Sequence, residues 1–269
     1  MYQSYWGLSQ LPFRGNLDPK SFYQSPTHEE ALARLNFLVE QHRRLGLLIG
    51  PSGSGKSLLF EVFAERLRRQ GRSVAKVSLL DVEPTEMLSL LATEWQLPVG
   101  SLQSAPVLWR ALTNRLIEHR YQQLETVVLF DDVDQAEPRT LQHVTRLTRF
   151  DPSPDMRLTI VLAGRKECLA KLGQSLLGLA DLRIEVEPWQ RADTEQYVST
   201  LLTQAGRRTP VFADPAVDRL HELAHGIPRR VSQLADLALL AGAGQNLDRI
   251  DAGVVEEAYQ ELGVVGQLT

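Results

Sequence analysis

Short apolar runs alternate with longer amphipathic stretches over the first two thirds of the chain. Five runs predict strands, at residues 45–49, 74–79, 127–130, 157–163 and 183–186. A helix is predicted before the first strand, over 27–43. Another runs from the Gly-rich turn after that strand to about residue 70, and three more are predicted over 84–95, 104–122 and 138–150. Nearly continuous apolar runs are typical of parallel strands that helices cover on both faces. The alternation therefore predicts an α/β fold with a doubly wound, parallel, five-stranded sheet.

The strand pattern stops after Pro188. Four amphipathic stretches follow and predict helices at 192–205, 214–224, 230–241 and 251–262. At the other end, residues 1–26 are rich in Gly, Pro, Ser and aromatic residues, which predicts an extended arm with turns. A capping box over Thr27–Glu30 then predicts the start of a helix. We expect three parts: an N-terminal arm (1–26), an α/β domain (27–187) and a helical lid domain (188–269).

Composition narrows the functional classes. The 269 residues carry a formal net charge of −4, which excludes a uniformly basic nucleic-acid coat but leaves room for a local basic patch. Cys168 is the single cysteine of the sequence, so an intramolecular disulfide framework is excluded. With no secretory signal at the N-terminus, we expect a cytoplasmic protein. No apolar run approaches the ~20 residues that span a bilayer, so no direct membrane insertion is expected.

A phosphate-binding loop follows the first predicted strand. The segment matches G-x-x-x-x-G-K-[ST], and an amphipathic helix follows it, as that motif requires. Its residues are Gly50, Pro51, Ser52, Gly53, Ser54, Gly55, Lys56 and Ser57, and the adjoining Leu58 is counted with them. Backbone N–H groups at a helix N-terminus favour anions. Lys56 is expected to reach the β- and γ-phosphates of ATP, and the Ser57 hydroxyl to bind Mg²⁺.

Two acids end the third apolar strand. Asp131 is expected to bind Mg²⁺ and Asp132 to polarise the water that attacks the γ-phosphate. A strand beside the phosphate loop would deliver both acids to the Mg²⁺ and the γ-phosphate. Asp134 continues the acidic turn and is expected to be solvated rather than catalytic.

Two further stretches carry a family resemblance. One is the arm, with Tyr5-Trp6-Gly7-Leu8, Pro12-Phe13, Asp18-Pro19 and Ser25-Pro26-Thr27-His28. The other is the tail segment Gly226-Ile227-Pro228-Arg229. With the phosphate loop, the paired acids, five strands and a helical tail, the chain resembles the AAA+ ATPases. Within them it is similar to the general secretion pathway protein A (ExeA-type) family, from Tyr5 to about Gly242.

The resemblance implies further roles. Arg229 would be the sensor-2 arginine that closes the helical domain onto the γ-phosphate. Phe13 or Phe22 would contact adenine; the alternative is that these aromatics pin the arm to the sheet. A homo-oligomer, as a ring or filament in the ATP state, and a protein partner of unknown identity, membrane-associated or not, are also implied. The implied function is a Mg²⁺-dependent ATPase that serves secretion, pilus or envelope assembly.

Three positions depart from the family pattern. Asp132 stands where the family has Glu, and a shorter side chain predicts slow hydrolysis. Arg165 replaces a polar sensor-1 residue after Gly164, and would stabilise γ-phosphate charge or face a neighbouring subunit. The family's trans-acting arginine falls near Leu179, where the nearest arginine is Arg183; a catalytic role and a plain strand-surface role both stay open for it.

Two alternative functions stay open. The first is a DNA-associated ATPase that resembles transposition target-selection regulators, because Arg139, Arg146 and Arg149 recur at helical spacing after the acidic motif. DNA is not the favoured partner. The second is a nucleotide-gated scaffold that does not hydrolyse ATP, which Asp132 and the displaced arginine both suggest.

Overall fold

Residues 2–13, 19, 22–98, 104–153 and 155–266 are described by the computed structural model of the chain. Asp18 of the family-like arm lies outside them. The chain forms two compact units. The sheet unit comprises Asp18–Gly50 and Lys56–Val186, and the helical unit comprises Met1–Leu17, Pro51–Gly55 and Glu187–Thr269. No helix among the described residues is long and apolar enough to cross a membrane.

The sheet unit contains the predicted parallel strands. They are β1 (Leu45–Ile49), β2 (Ser73–Ser78), β3 (Thr126–Asp131), β4 (Leu158–Gly164) and β5 (Leu182–Glu185). Their order across the sheet is β2-β3-β4-β1-β5, and every pairing is parallel. The predicted five-stranded α/β fold is confirmed, with each strand within one residue of the expected range.

β3 does not pair with β1, because β4 lies between them. Leu47 of β1 is opposite Leu162 of β4, and Val161 of β4 is opposite Leu129 of β3. Strands are about 4.8 Å apart, so β1 and β3 are roughly 10 Å apart. All carboxyl ends nevertheless meet at one edge, where ligands bind in open α/β sheets.

Helices cover both faces of this sheet. In chain order they are α2 (Pro26–Glu40), α3 (Lys56–Arg69), α4 (Pro84–Glu94), α5 (Ala105–Tyr121), α6 (Pro138–Thr148) and the short α7 (Gln174–Leu177). Alternate residues of β1 face opposite layers: Leu48 packs with α2 and α3, whereas Leu47 packs with α4, α5 and α6. Strands buried on both sides explain the continuous apolar runs in the sequence.

Helix α2 begins two residues earlier than the capping box predicted. Ser25 is the N-cap, and its hydroxyl accepts a hydrogen bond from the His28 backbone N–H. Pro26 occupies the first helical turn, where its missing N–H costs nothing. Thr27 therefore lies inside the helix, and the proline decides the boundary.

The helical unit contains five helices in the described residues. They are α1 (Tyr2–Trp6), α8 (Arg191–Gln204), α9 (Asp214–Ala224), α10 (Pro228–Gly244) and α11 (Ala252–Gly266). The prediction of an extended arm is wrong for residues 2–6, which are helical. Trp6 is buried, and its indole N–H donates to the Leu239 carbonyl of α10 over 2.8 Å. This tertiary contact holds a helix too short to be stable by itself.

Gly226 sets the start of α10. Its φ of +67° is a left-handed conformation, and its carbonyl accepts a 2.8 Å hydrogen bond from the Trp189 N–H. A Cβ on Gly226 would lie 2.3 Å from the Trp189 carbonyl oxygen. Both the backbone conformation and the space therefore require glycine here.

Replacing Gly226 with Ala should destabilise the helical unit by about 2–4 kcal/mol, because backbone strain adds to a clash with main-chain atoms. Gly206→Ala is the matched control: Gly206 also has a positive φ (+95°), but its added Cβ would be 3.5 Å from the Ser9 hydroxyl, an ordinary contact. We expect that control to cost only about 1 kcal/mol. Urea unfolding followed by circular dichroism measures both, and equal losses would contradict the clash.

Candidate nucleotide-binding site

The phosphate loop joins β1 to α3, as its motif requires. β1 ends at Ile49 and α3 begins at Lys56. Gly53 and Gly55 have φ values of +81° and +96°, which L side chains rarely adopt. These two motif glycines let the backbone turn back on itself, so that N–H groups can line a concave anion site.

Lys56 lies at the carboxyl edge of the sheet. Its Nζ donates to the Gly50 carbonyl over 2.9 Å. Burial lowers the pKa of Lys56, and the negative charges of four nearby acids oppose that shift. These acids are Asp131, Asp134, Asp132 and Glu167. An ammonium group surrounded by carboxylates at a strand edge can bind the phosphates of a nucleotide, as the motif predicts.

Asp131 and Ser57 supply two adjacent oxygens. Asp131 is 4% exposed at the end of β3. Burial raises the pKa of this carboxyl, and a hydrogen bond with the Ser57 side chain works in the opposite direction. A hydroxyl and a carboxylate suit Mg²⁺, which commonly binds one or two protein oxygens together with substrate phosphates. This chemistry fits the predicted metal-binding pair, and no group of three or more metal-binding acids, histidines or cysteines occurs among the described residues.

Asp132 has a fixed orientation that the sequence did not indicate. Its backbone is left-handed, with φ +54°. The Ser78 hydroxyl at the end of β2 donates to Asp132 Oδ2 over 2.9 Å. Ser78 is opposite Asp131 in the parallel pairing of β2 and β3, so sheet register brings the hydroxyl to the acid. Ser78 is therefore a site residue that only the strand order reveals.

Asp134 is not solvated, contrary to expectation. It is 4% exposed and accepts two hydrogen bonds from Arg165: the backbone N–H binds Oδ1 over 3.0 Å, and Nε binds Oδ2 over 2.6 Å. Burial by itself raises the pKa of Asp134, but these bonds and the arginine charge hold it below its ordinary value. Gly164 makes room for the pair, because a Cβ there would be 3.0 Å from Asp134 Oδ1. The Asp134 carboxylate thus holds Arg165 in place just after the end of β4.

Arg229 lies in the first turn of α10, within the helical unit. Pro228 occupies the start of that helix, and the Arg229 backbone N–H donates to the Gly53 carbonyl over 3.2 Å. A Cβ on Gly53 would be 2.9 Å from the Arg229 Cβ, so this contact also requires glycine. The side chain of Arg229 is exposed. A cation opposes the positive end of a helix unless an anion binds beside it.

The predicted aromatic residues occupy different units. Phe13 is buried in the helical unit, where its ring centroid is 6.1 Å from that of Tyr197. Phe22 packs on the α2–α3 side of the sheet unit, with its centroid 5.4 Å from the His28 ring. Adenine contact by either ring stays a prediction.

Arg183 is exposed on β5 and lies 3.6 Å from Glu185 of the same strand. The pair has the geometry of a surface ion pair, which usually contributes little to stability. Its possible role on the nucleotide of a neighbouring subunit stays a prediction.

Known proteins resemble this chain in sequence and in fold. Residues 39–172 match the AAA domain family. General secretion pathway protein A of Aeromonas hydrophila is 29% identical over 269 residues, which cover 98% of this chain and 49% of that protein. The chain therefore spans about half the length of this curated relative.

Two solved structures have the same fold at low sequence identity. The Drosophila ORC structure has a TM-score of 0.74 at 16% identity and covers 97% of this chain and 65% of that chain. Cdc6p of Pyrobaculum aerophilum has a TM-score of 0.69 at 16% identity and covers 96% and 70%, respectively. With the AAA domain matched and the secretion-pathway relative aligned over nearly the whole chain, the predicted resemblance to the AAA+ ATPases of the general secretion pathway protein A family is confirmed.

Proposed function

We propose that the chain is a Mg²⁺-dependent ATPase that couples its nucleotide state to conformational change or to assembly of a partner complex. The observation that carries the proposal is the edge of the sheet unit: Lys56 at the phosphate loop, with Asp131 hydrogen-bonded to Ser57 beside it. The relative named for general secretion supports a role in secretion, pilus or envelope assembly, and we propose a cytoplasmic location.

In this mechanism the loop from Gly50 to Leu58 binds the phosphates through its backbone N–H groups and Lys56 Nζ. Ser57 and Asp131 would hold Mg²⁺, which supplies positive charge to the β- and γ-phosphates. Asp132 orients a water molecule and accepts its proton as the water oxygen attacks phosphorus in line. The bond from phosphorus to the ADP oxygen breaks, and ADP and inorganic phosphate leave.

Two arginines complete the proposed site. Arg165, held by Asp134, would stabilise the charge that develops on the transferred phosphoryl group. Arg229 would sense the γ-phosphate, and its place in the first turn of α10 next to Gly53 supports that role. We further propose a homo-oligomer in the ATP state, as a ring or filament, with Arg183 as a candidate trans-acting residue and with an unidentified protein partner.

Both alternatives have a specific observation in their favour. Asp132 is one methylene shorter than Glu and is hydrogen-bonded to Ser78, which suits a scaffold that binds ATP without hydrolysing it. Arg139, Arg146 and Arg149 are exposed on or next to α6, which suits an ATPase that contacts DNA. Phosphate release distinguishes the scaffold that does not hydrolyse ATP from the proposed ATPase.

Lys56→Ala should reduce steady-state phosphate release from Mg·ATP by about 10²-fold or more, because the variant loses the cation that neutralises the phosphates. Arg34→Ala removes an exposed cation that pairs with Glu30 on α2, and it should leave the rate unchanged. If the unaltered chain releases no phosphate above background, the scaffold replaces the ATPase as the proposed function.

Asp132→Asn should lower kcat by about 10²–10⁴-fold and leave nucleotide affinity nearly unchanged, because an amide cannot accept the proton of the attacking water. Ser78→Ala should give a smaller fall in kcat, since it removes only the bond that orients Asp132. A fluorescent ATP analogue measures affinity, and phosphate release measures the rate. An Asp132→Asn variant that hydrolyses ATP at the original rate would exclude Asp132 as the proton acceptor.

Asp134→Asn should lower kcat roughly 10-fold without changing nucleotide affinity, because Arg165 loses its charged partner and its fixed position. Arg165→Gln should give a similar fall. The double variant should be no slower than the slower single variant, since the two residues act as a unit. Additive losses in kcat would contradict that coupling, and thermal unfolding of each variant separates it from a general loss of stability.

A further inference from the structure

Four arginines form one exposed surface of the sheet unit, which we call the arginine face. Arg139 and Arg146 lie on α6, Arg149 is the residue that ends it, and Arg110 lies on α5. All four side chains are exposed. Helix α6 contains no acidic residue, and none of the four arginines forms an ion pair with a described residue.

Five other helix arginines of the same unit differ in this respect. Arg34, Arg68, Arg69, Arg115 and Arg120 each pair with a carboxylate. A chain with a net charge of −4 has enough acids to neutralise its surface cations. The arginine face therefore keeps a concentrated positive charge that its own protein does not cancel.

Trp109 anchors the centre of this face. The Arg146 guanidinium lies 4.3 Å from the centroid of the indole, and the His143 ring is stacked on it with centroids 5.7 Å apart. The indole N–H donates to His143 Nδ1 over 2.8 Å, which leaves the imidazole proton on Nε2. Burial, together with the Arg146 charge, lowers the pKa of His143 and keeps the ring neutral. The stack holds Arg146 in place at little cost in side-chain entropy.

An open groove of about 620 Å³ runs between α5 and α6 at this point. Its lining residues are Ala105, Pro106, Trp109, Arg110, Thr113, His143 and Arg146. Trp109 is only 4% exposed, so the groove offers no open aromatic pocket for an anchoring side chain. Arginine, threonine and histidine are donors to phosphate oxygens, and arginine binds them in a bidentate fashion.

We propose that the arginine face binds the phosphodiester backbone of duplex DNA. Arg139 in α6 and Arg149, the residue that ends this helix, are ten positions apart, or about 15 Å at 1.5 Å per residue. That length corresponds to roughly four steps of one DNA strand at 3.4 Å each. The unpaired guanidinium groups of Arg139, Arg146 and Arg149 recur along α6 and its C-terminal end, and they match a polyanion whose charges are evenly spaced. The contact carries no base-specific information, so binding is independent of sequence.

The test is the salt dependence of binding, measured by fluorescence anisotropy of the full chain with a labelled 20-base-pair duplex. Four phosphate contacts predict a slope of log K against log salt of about −3.6. Tripling the salt concentration from 50 mM should therefore weaken binding about 50-fold. Arg139→Gln with Arg149→Gln should reduce the slope to about −1.8 and weaken binding at low salt. These two residues make no contact with Trp109, so the stack is left intact.

Arg34→Gln with Arg69→Gln is the matched control, because it removes the same charge from paired arginines of the same unit. The proposal requires this control to keep the original slope. Equal losses in both double variants would show that only net charge matters and would overturn it, as would no binding at 50 mM salt. Polyglutamate that displaces DNA at equal charge concentration would also overturn it and would indicate an acidic protein partner. Circular dichroism of each variant checks that the fold is retained, independently of DNA and of ATP hydrolysis.

Discussion

The parallel direction of all five strands is the constraint on which the site depends. Because the strands run the same way, their carboxyl ends meet at one edge, and every charged group that follows a strand lies there. The phosphate loop follows β1, Asp131 ends β3 with Asp132 directly after it, and Arg165 follows β4. These residues are far apart in sequence, and the sheet order β2-β3-β4-β1-β5 brings them to the same edge. An antiparallel partner in the middle of the sheet would move one of them to the opposite edge.

Such an edge must balance its own charges when no nucleotide is bound. Lys56 is close to more negative than positive groups, and burial penalises both signs. Asp134 and Arg165 form an ion pair, which adds no net charge to the edge. The hydrogen bond with Ser57 partly offsets the cost of burying the charged carboxyl of Asp131. Lys56 is then left with three other acids near it, Asp131, Asp132 and Glu167, and such a mixed-charge edge suits a ligand made of polyanionic phosphates and a divalent cation.

The sequence predicted the strands well because both faces of the sheet are covered, and a fully buried strand is a continuous apolar run. It predicted the places of Lys56 and Asp131 at the carboxyl edge of the sheet because each is part of a local motif. It missed Asp134 because its partner Arg165 is 31 positions away and on another strand. A third acid in an acidic turn is expected to be solvated when strand order is unknown. Ser78 was missed for the same reason, since only the register of β2 on β3 places it at Asp132.

Local patterns also failed where tertiary contacts decide. Five residues are too few for helical periodicity, so α1 was predicted as extended. Its helical form is explained by tertiary contacts, which include the hydrogen bonds of Trp6 to Leu239 and of Tyr5 to the Leu247 carbonyl. The start of α10 depends likewise on a glycine that fits against the Trp189 backbone. That start matters for the proposed function because Arg229 follows it directly and its backbone N–H donates to the Gly53 carbonyl. Backbone contacts produce no periodic pattern in a sequence. The position of Arg229 therefore depends on contacts that the family motif does not reveal.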